Sequence, residues 1–493
     1  MKKIVCWLFA LVFITQYACT SKYQNNWMQF RGINASGIAF EDANPPINFN
    51  ADTNLLWKTE VPDGYSSPCV VNDEIFMTGF EKSDSLLHVF AINRRNGEYL
   101  WKDSIKPTGF YPIHPMSSYA SPTIASDGDR IFVSFPNYGL IAYDLDGNKI
   151  WNYKHEMINN FYYNGTSPVV KDSIVVLLIN SQLDPKIIAL NCETGDSLWI
   201  ITATDTQWSS LASTATPVID GNLMLMHFRQ AVVAYNLSNQ TPEWWLFTST
   251  TGVGTPVIAD NTLYLNTWTQ GGEDINREKI LSFAELITKC DKNSNGLIEQ
   301  SELSDDLFWF KRRETPDAPY SALSYSRSFA LVDADKNESI DKQEWESTIE
   351  SLSFFFEDHG MLAISMDGKG DRPITEIKWK VNKDTPETPS PLIVGKNILF
   401  IKDGGIITVV DRESGAVIYT DRIGAPGAYF SSPLLAGDKI ILCSFNGIVT
   451  VLSAKDFSIL GQNKLKGKIG ASPIVIDDVL YLRTANKIYA FKE

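Results

Sequence analysis

The chain has 493 residues, 44% hydrophobic and 20% charged, enough apolar content for a sizeable core and too much for a disordered protein. Its 31 glycines and 23 prolines are ordinary usage, which excludes collagen-like and low-complexity architectures. Lys and Arg number 43 against 58 Asp and Glu, and the net charge of −15 lacks the basic footprint that nucleic-acid binding needs. No nucleic-acid partner is expected, while cation binding is compatible with this balance.

Lys2 and Lys3 precede an apolar run from Ile4 to Ile14, followed by Thr15-Gln16-Tyr17-Ala18-Cys19. These are signal-peptide proportions, too short to span a bilayer, which takes roughly 18 apolar residues or more. Ala18-Cys19 resembles a bacterial lipobox, with Gln16 where that motif carries Leu. Residues 1–18 therefore read as a signal peptide and 19–54 as an N-terminal segment lipidated at Cys19. The expectation is an exported protein in the cell envelope of a Gram-negative-type bacterium, lipid-anchored, facing the periplasm or on the outer membrane. The membrane is touched through the lipid alone. Cys69, Cys192, Cys290 and Cys443 form no CxxC pair, so metal, redox and haem-attachment spacings are absent.

A Ser/Thr-Pro pair followed by an apolar run recurs at Pro68, Pro122, Pro168, Pro217, Pro256, Pro391, Pro433 and Pro473. Successive prolines are 54, 46, 49, 39, 135, 42 and 40 residues apart, so one interval is much longer than the rest. Between them lie β-branched runs such as Arg130-Ile131-Phe132-Val133 and Lys439-Ile440-Ile441-Leu442. A second signal is a turn glycine followed four residues later by Trp: Gly97 to Trp101, Gly147 to Trp151, Gly195 to Trp199, with Tyr419 after Gly415. Glycine supplies the positive φ of a tight hairpin, and the spacing sets one large ring on the outer strand against the neighbouring sheet. Periods of 40–50 residues with four strands per unit indicate radial repetition. The fold expected is all-β, an eight-bladed β-propeller of four-stranded blades. The last repeat runs out after three strands, and Leu55-Leu56-Trp57-Lys58 is expected to supply its fourth, closing the ring and removing a sheet edge.

With these motifs the chain resembles the quinoprotein-like β-propellers that carry tryptophan docking motifs. Trp27-Met28-Gln29-Phe30-Arg31-Gly32 is similar to the W-x-x-F-R-G opening of exported bacterial PQQ-binding-like repeat proteins. The resemblance implies the fold. It leaves function open, because one architecture hosts unrelated activities.

The long interval exceeds a normal repeat by about ninety residues and holds two stretches matching the calcium-loop pattern D-x-[DN]-x-[DN]-G-x5-E. The first offers Asp291, Asn293, Asn295, the carbonyl of Leu297, Glu299 through water, and a bidentate Glu302, with Gly296 at the sharp turn. The second offers Asp333, Asp335, Asn337, Ser339, Asp341 and Glu344, with Glu338 in the glycine position, which forces a left-handed backbone. Ile298 and Ile340 hold the apolar position that joins paired loops. The two loops start 42 residues apart and look like an EF-hand pair, a small all-α domain over 270–359 that would bind one or two calcium ions. Residues 273–359 hold 20 acids and 10 bases, so this segment carries −10 and the other 406 residues only −5.

Phasing puts the insertion in blade 5, between a second strand at 263–268 and a third at 360–365, with a fourth from Ile374 to Val381. The propeller is thus expected over 55–269 and 360–493. Alternate turns of an antiparallel meander fall on opposite faces, so the insertion shares a face with the blade-to-blade loops. A candidate ligand face follows from this phasing: Tyr65, Tyr111, His114, Tyr119, Tyr162, Trp208, Arg229, Lys402 and Arg483.

No Ser/His/Asp nucleophile set is evident, and none of the five histidines forms a metal-ligand pair. The expectation is a noncatalytic, membrane-tethered and monomeric scaffold that binds a protein or glycan partner, resembling in architecture the BamB-like lipoproteins of envelope biogenesis. The alternative is a PQQ-dependent dehydrogenase oxidising an alcohol or sugar. Against PQQ stand the missing adjacent-cysteine pair that such enzymes place over the cofactor and the missing CxxCH haem site.

Overall fold

A computed structural model describes residues 26–159, 165–181, 184–206, 208, 211, 213–248, 253–269, 271–316, 321–357 and 359–493. Among these residues eight antiparallel blades succeed one another around a central channel. Blade 1 runs Cys69–Val71, Glu74–Glu81, Leu86–Asn93 and Tyr99–Ile105, and blades 2 to 7 span 125–153, 169–202, 218–247, 257–381, 392–422 and 434–464. Blade 8 takes Ile474–Ile476, Val479–Thr484 and Lys487–Phe491 from the chain's end and Leu55–Glu60 from its beginning. Trp57 lies opposite Ala490 in that closing pair, as the repeat phasing requires. Middle strands are covered on both faces by neighbouring blades, so they read as continuous apolar runs: Ile398–Lys402 is buried throughout. Outer strands such as Ile459–Lys464 stay largely exposed.

The Ser/Thr-Pro signal has a mechanical origin. The backbone N–H of Ser67 donates to the Thr123 hydroxyl at 3.0 Å, Thr123 to Ser167 at 2.9 Å, Ser167 to Thr216 at 3.2 Å, and Thr216 to Thr255 at 3.0 Å. Thr255 continues to Ser390, Ser390 to Ser432, Ser432 to Ser472, and Ser472 returns to Ser67, each at 3.0 Å. Eight blades are thus stitched by one closed, unidirectional circle of hydrogen bonds around the channel. In blade 2 the hydroxyl in this circle is Thr123, two residues beyond the Ser121 of the sequence motif.

The Gly-to-aromatic signal stitches the outer rim. A Cβ on Gly97, which sits at φ +76°, would come 2.5 Å from the Trp57 ring, and the Trp57 indole N–H donates to the Arg94 carbonyl at 3.0 Å. Trp101 packs likewise on the Gly147 turn, Trp151 on Gly195 and Trp379 on Gly415, each with its indole N–H on a carbonyl of that turn.

The Trp27–Gly37 segment plugs the channel on the face that carries the first and third hairpin turns. Trp27 exchanges both backbone hydrogen bonds with Val70 in blade 1, and the Met28 carbonyl accepts from Ser126 in blade 2. Buried Arg31 donates to the carbonyls of Ala35, Ser36, Pro391 and Pro433, reaching blades 6 and 7. The turn at 33–35 touches the first strands of blades 4 and 5. A segment touching opposite sides of the ring crosses its axis, so the channel is closed at this end.

Blade 5 departs from expectation in two details. Residues 374–376 form a 3-10 turn, and the fourth strand is only Trp379–Val381. Just before it, Gly370–Arg372 leaves the blade and pairs in parallel with the outer strand Pro242–Phe247 of blade 4, where Arg372 lies 5.4 Å over the Trp244 ring. The inserted segment joins the second strand, Thr262–Thr267, to the third, Gly360–Ser365. It is not wholly helical. Helices α1 (Phe283–Cys290), α2 (Tyr325–Val332) and α3 (Lys342–Glu357) are accompanied by two short antiparallel pairs. After the first acidic loop the chain makes only a 3-10 turn at 300–302 and then enters the strand Phe308–Lys311. Leu286, Ile298, Trp309, Tyr325, Phe329, Ile340 and Trp345 give the segment an apolar core of its own. No helix among the described residues is long and apolar enough to cross a membrane.

Candidate metal centre and loop face

Both acidic loops follow a capped helix. Ser282 and Glu285 form a capping box at the start of α1, and Ser324 accepts from the Arg327 N–H at the start of α2. The loops then wind the same way, residue for residue. Asp291 accepts from the N–H groups of Asn295 and Gly296, and Asp333 from those of Asn337 and Glu338. Glu302 accepts from Lys292 N–H at 2.8 Å and Glu299 N–H at 3.1 Å; Glu344 accepts from Ala334 N–H at 2.8 Å and Asp341 N–H at 3.0 Å. Asn295 and Asn337 accept from Leu297 and Ser339 N–H. Ile298 pairs with Ile340 and Glu299 with Ser339, so the loops are joined back to back by a two-residue ladder. Gly296 has φ +78° and Glu338 +68°, the left-handed turn foreseen for the sixth position.

The loops differ in charge. In the second, carboxylate oxygens of Asp333, Asp335 and Glu344 lie within 4.8 Å of one another, an acidic cluster able to hold a metal ion. In the first, Asn293 replaces the middle acid, and the Asn293 and Asn295 amides draw Glu299 aside at 3.2 and 2.7 Å. Buried Asp333 and Glu302 mark the inner side of each loop; Asn293, Asn295, Asp335 and Asn337 are exposed.

Of the residues phased onto the loop face, Tyr162 lies outside the described residues, as does Cys19, the expected lipidation site. Tyr111 is exposed, and its carbonyl accepts from the Tyr119 hydroxyl at 2.7 Å. Tyr119 joins Phe80 and Phe110 in an aromatic group with centroids 4.5–5.1 Å apart. Tyr65 meets Phe445 at 5.8 Å, with Phe430 on the far side at 4.8 Å and the Lys468 ammonium 5.3 Å over the Phe445 ring. Burial and the nearby Asp63 push the Tyr65 hydroxyl up to about 12. Burial lowers the His114 imidazole below its ordinary value, and the carboxylate of Glu387 works against that drop. His114 stands in the loop between blades 1 and 2 and Glu387 in that between blades 5 and 6. Arg229 is exposed at a bend in blade 4.

Three residues turn inward instead. Trp208 is buried among Phe228, Tyr235 and Trp245. Arg483 is buried and donates to the carbonyls of Pro62, Ser66 and Thr78 and to the Ser66 hydroxyl, and burial lowers its guanidinium to about 10. Lys402 is buried under the inserted segment, with Glu273 and Glu314 each 2.5 Å from its ammonium. Repeat phasing gives the height of a residue in its blade but not what a distant segment lays over it, which is why Lys402 was placed at the surface. Glu273, Arg312, Glu314 and Asp403 carry no sequence signal beyond their charge, since they lie at the start and middle of the insertion and in blade 6. Cys69, Cys192, Cys290 and Cys443 are free and buried.

A family model described as outer membrane protein assembly factor BamB, a PQQ-like repeat family, matches residues 47–180, 115–278 and 357–493, well over half of the chain. The chain belongs to this family. The matched stretches leave 279–356 uncovered, so this BamB-type propeller carries its acidic loops in a segment the family model does not describe. No curated protein matches the chain by sequence. Among solved structures the fold is similar to a europium-containing methanol dehydrogenase, with TM-score 0.52, 11% identity and coverage of 96% of this chain and 99% of that one. It is similar also to a quinohemoprotein alcohol dehydrogenase from Pseudomonas putida HK5, with TM-score 0.52, 12% identity and coverage of 95% and 80%. BamB from Moraxella catarrhalis aligns at TM-score 0.48 with 13% identity over 89% of this chain and 98% of that one. At these identities the likeness is one of fold.

Proposed function

We propose that the protein is an exported, lipid-anchored, noncatalytic scaffold that binds a protein or glycan on its loop face, with calcium ordering the inserted EF-hand pair. The observation that carries calcium is the convergence of Asp333, Asp335 and Glu344, with the same winding repeated around Asp291 and Glu302. The donor set is all oxygen, which suits a hard divalent cation. Asp291, Asn293, Asn295, Glu302 and the Leu297 carbonyl would hold one ion, with Glu299 acting through water. Asp333, Asp335, Asn337, Glu344 and the Ser339 carbonyl would hold the other, with Asp341 in the place of Glu299. A bound ion neutralises part of the −10 on this segment and locks each loop onto its helix.

The scaffold reading rests on family membership and on the aromatic groups around Tyr65 and Tyr119. The dehydrogenase reading fits this chain less well. An acidic quinone calls for free cations at the channel, and Arg483 and Lys402 are already committed to carbonyls and carboxylates. With the Trp27–Gly37 plug at the opposite end, a partner would engage the loop face and the arm together.

Calorimetry with calcium on wild type, Glu302→Gln and Glu344→Gln tests the metal sites, each variant losing one binding event. Unchanged isotherms would reject them. A photo-crosslinker at Tyr111, used in native envelope, should capture a discrete partner that a crosslinker on the plug face at Asp129 does not. Cys19→Ala should shift the protein to the soluble fraction. Stoichiometric binding of PQQ with calcium-dependent dye reduction would overturn the noncatalytic reading.

A further inference from the structure

The arm meets the propeller through an unusual root. Lys402, at the end of the second strand of blade 6, receives Glu273 from the start and Glu314 from the middle of the inserted segment and has Asp384 at 3.7 Å. Arg312, from the insertion, forms ion pairs with Glu387 at 2.8 Å and with Asp403 of blade 6 at 2.7 Å, and its guanidinium stacks 5.0 Å over Trp268. His359, where the arm returns to blade 5, has its Nε2 3.7 Å from Glu273 and accepts at Nδ1 from the Thr269 N–H. Glu273 also accepts from the Thr385 N–H at 3.0 Å, and Asp403 from the Tyr429 N–H at 2.7 Å. Five carboxylates therefore face two fixed cations and one histidine, with Lys402, Glu273 and Glu314 all under 8% exposed. Like charges crowded out of water oppose one another's ionisation, and the two cations offset that only in part.

We propose that this root is a proton-sensitive latch, in which proton uptake tightens the seat of the arm on blade 6 and proton loss loosens it. The latch acts independently of the calcium loops, whose ligands it does not touch.

The sign follows from the groups that change charge in the range. Burial pushes Asp403 up to about 6, reinforced by Glu387 and Glu314 and opposed by Arg312. Burial also raises Asp384, against the pull of Lys402 and Lys383. Lys402 is raised and Glu273 lowered from their ordinary values, so neither changes charge between pH 5 and 7.5. When the root opens, Asp403 returns to the ordinary range of an aspartate, so the seated form holds more protons below pH 6 and acid favours it. From pH 7.5 to pH 5 the seating constant should rise on the order of tenfold.

Hydrogen exchange of the root segments 271–281 and 382–388, at saturating calcium and corrected for intrinsic rates, reads this directly. Wild type should show about tenfold greater protection at pH 5 than at pH 7.5. Asp403→Asn, which keeps an acceptor for the Tyr429 N–H, should abolish most of that difference while exchange in blade 2 stays unchanged. If Asp403→Asn fails to fold, Glu387→Gln should shift the midpoint downward. A pH-independent root in wild type, or an undiminished pH dependence in the folded variants, would overturn the latch.

Discussion

The ring and the arm are built on opposite principles. The ring repeats two stitches, a hydroxyl at the channel from every blade and an indole at the rim in blades 8, 1, 2 and 5, and the 406 residues outside 273–359 carry a charge of only −5. In the arm 87 residues carry −10 over a small core, and carboxylates gather at two places, the acidic loops and the root on blade 6. Repetition spreads stability over many equivalent contacts. A compact acidic insertion concentrates it in a few that respond to the medium.

That contrast can be broken most strongly at Trp345. It is fully buried, packs against Trp309 at 4.7 Å and Tyr325 at 4.9 Å, and donates to the Leu281 carbonyl. Trp345→Ala should cost about 3–5 kcal/mol of arm stability. Hydrogen exchange should then accelerate across the arm while the blades stay protected; loss of protection in both would show one cooperative unit. Next in size is withdrawal of calcium. At a hundredfold excess over Kd each bound ion contributes about 2.7 kcal/mol, so chelation should destabilise the arm by about that amount for each ion released and leave the ring transition in place. Differential scanning with and without chelator separates the two.

Smaller again is a cut in the channel circle. Ser432→Ala removes the acceptor of the Ser390 N–H and should cost about 1–3 kcal/mol, measured by urea unfolding of the whole ring. A loss confined to blade 7 would contradict a shared circle. Smallest is a gain: Glu338→Gly relieves the left-handed backbone at φ 68° and should stabilise the arm by about 1 kcal/mol, with tighter calcium binding at the second loop by calorimetry.

Much of the ring was legible because its stitches recur. Leu55-Leu56-Trp57-Lys58 could be assigned to blade 8 because the last repeat lacks a fourth strand and Trp57 holds the repeat position, and Gly360–Ser365 was identified as a third strand across ninety intervening residues. The Ser121-Pro122 pair misled by two residues because the proline cue is local, while the circle selects whichever hydroxyl reaches the next blade. The added strand Gly370–Arg372 left no periodic trace in its three residues, and its pairing depends on a neighbouring blade. The acidic loops were legible as loops: 291–302 and 333–344 wind alike, and the second brings Asp333, Asp335 and Glu344 together, while the ion they would hold is a proposal. The root was not. Glu273, Arg312, Lys402 and Asp403 come from separate stretches, and their meeting is a property of packing that no spacing encodes.

The seam in blade 8 also sets an order of events. Its strand at 55–60 emerges during synthesis well before its partner at 487–491, with the seven other blades made between them. Seven blades can form in sequence, each templated by the one before, yet the first-made strand must wait unpaired for the length of the polypeptide. The Trp27–Gly37 plug meets the same delay, because its Arg31 clasps carbonyls more than 350 residues away. Until then the nascent molecule is an open spiral with one bare edge at each end, and a holding factor would be needed longest at those two edges.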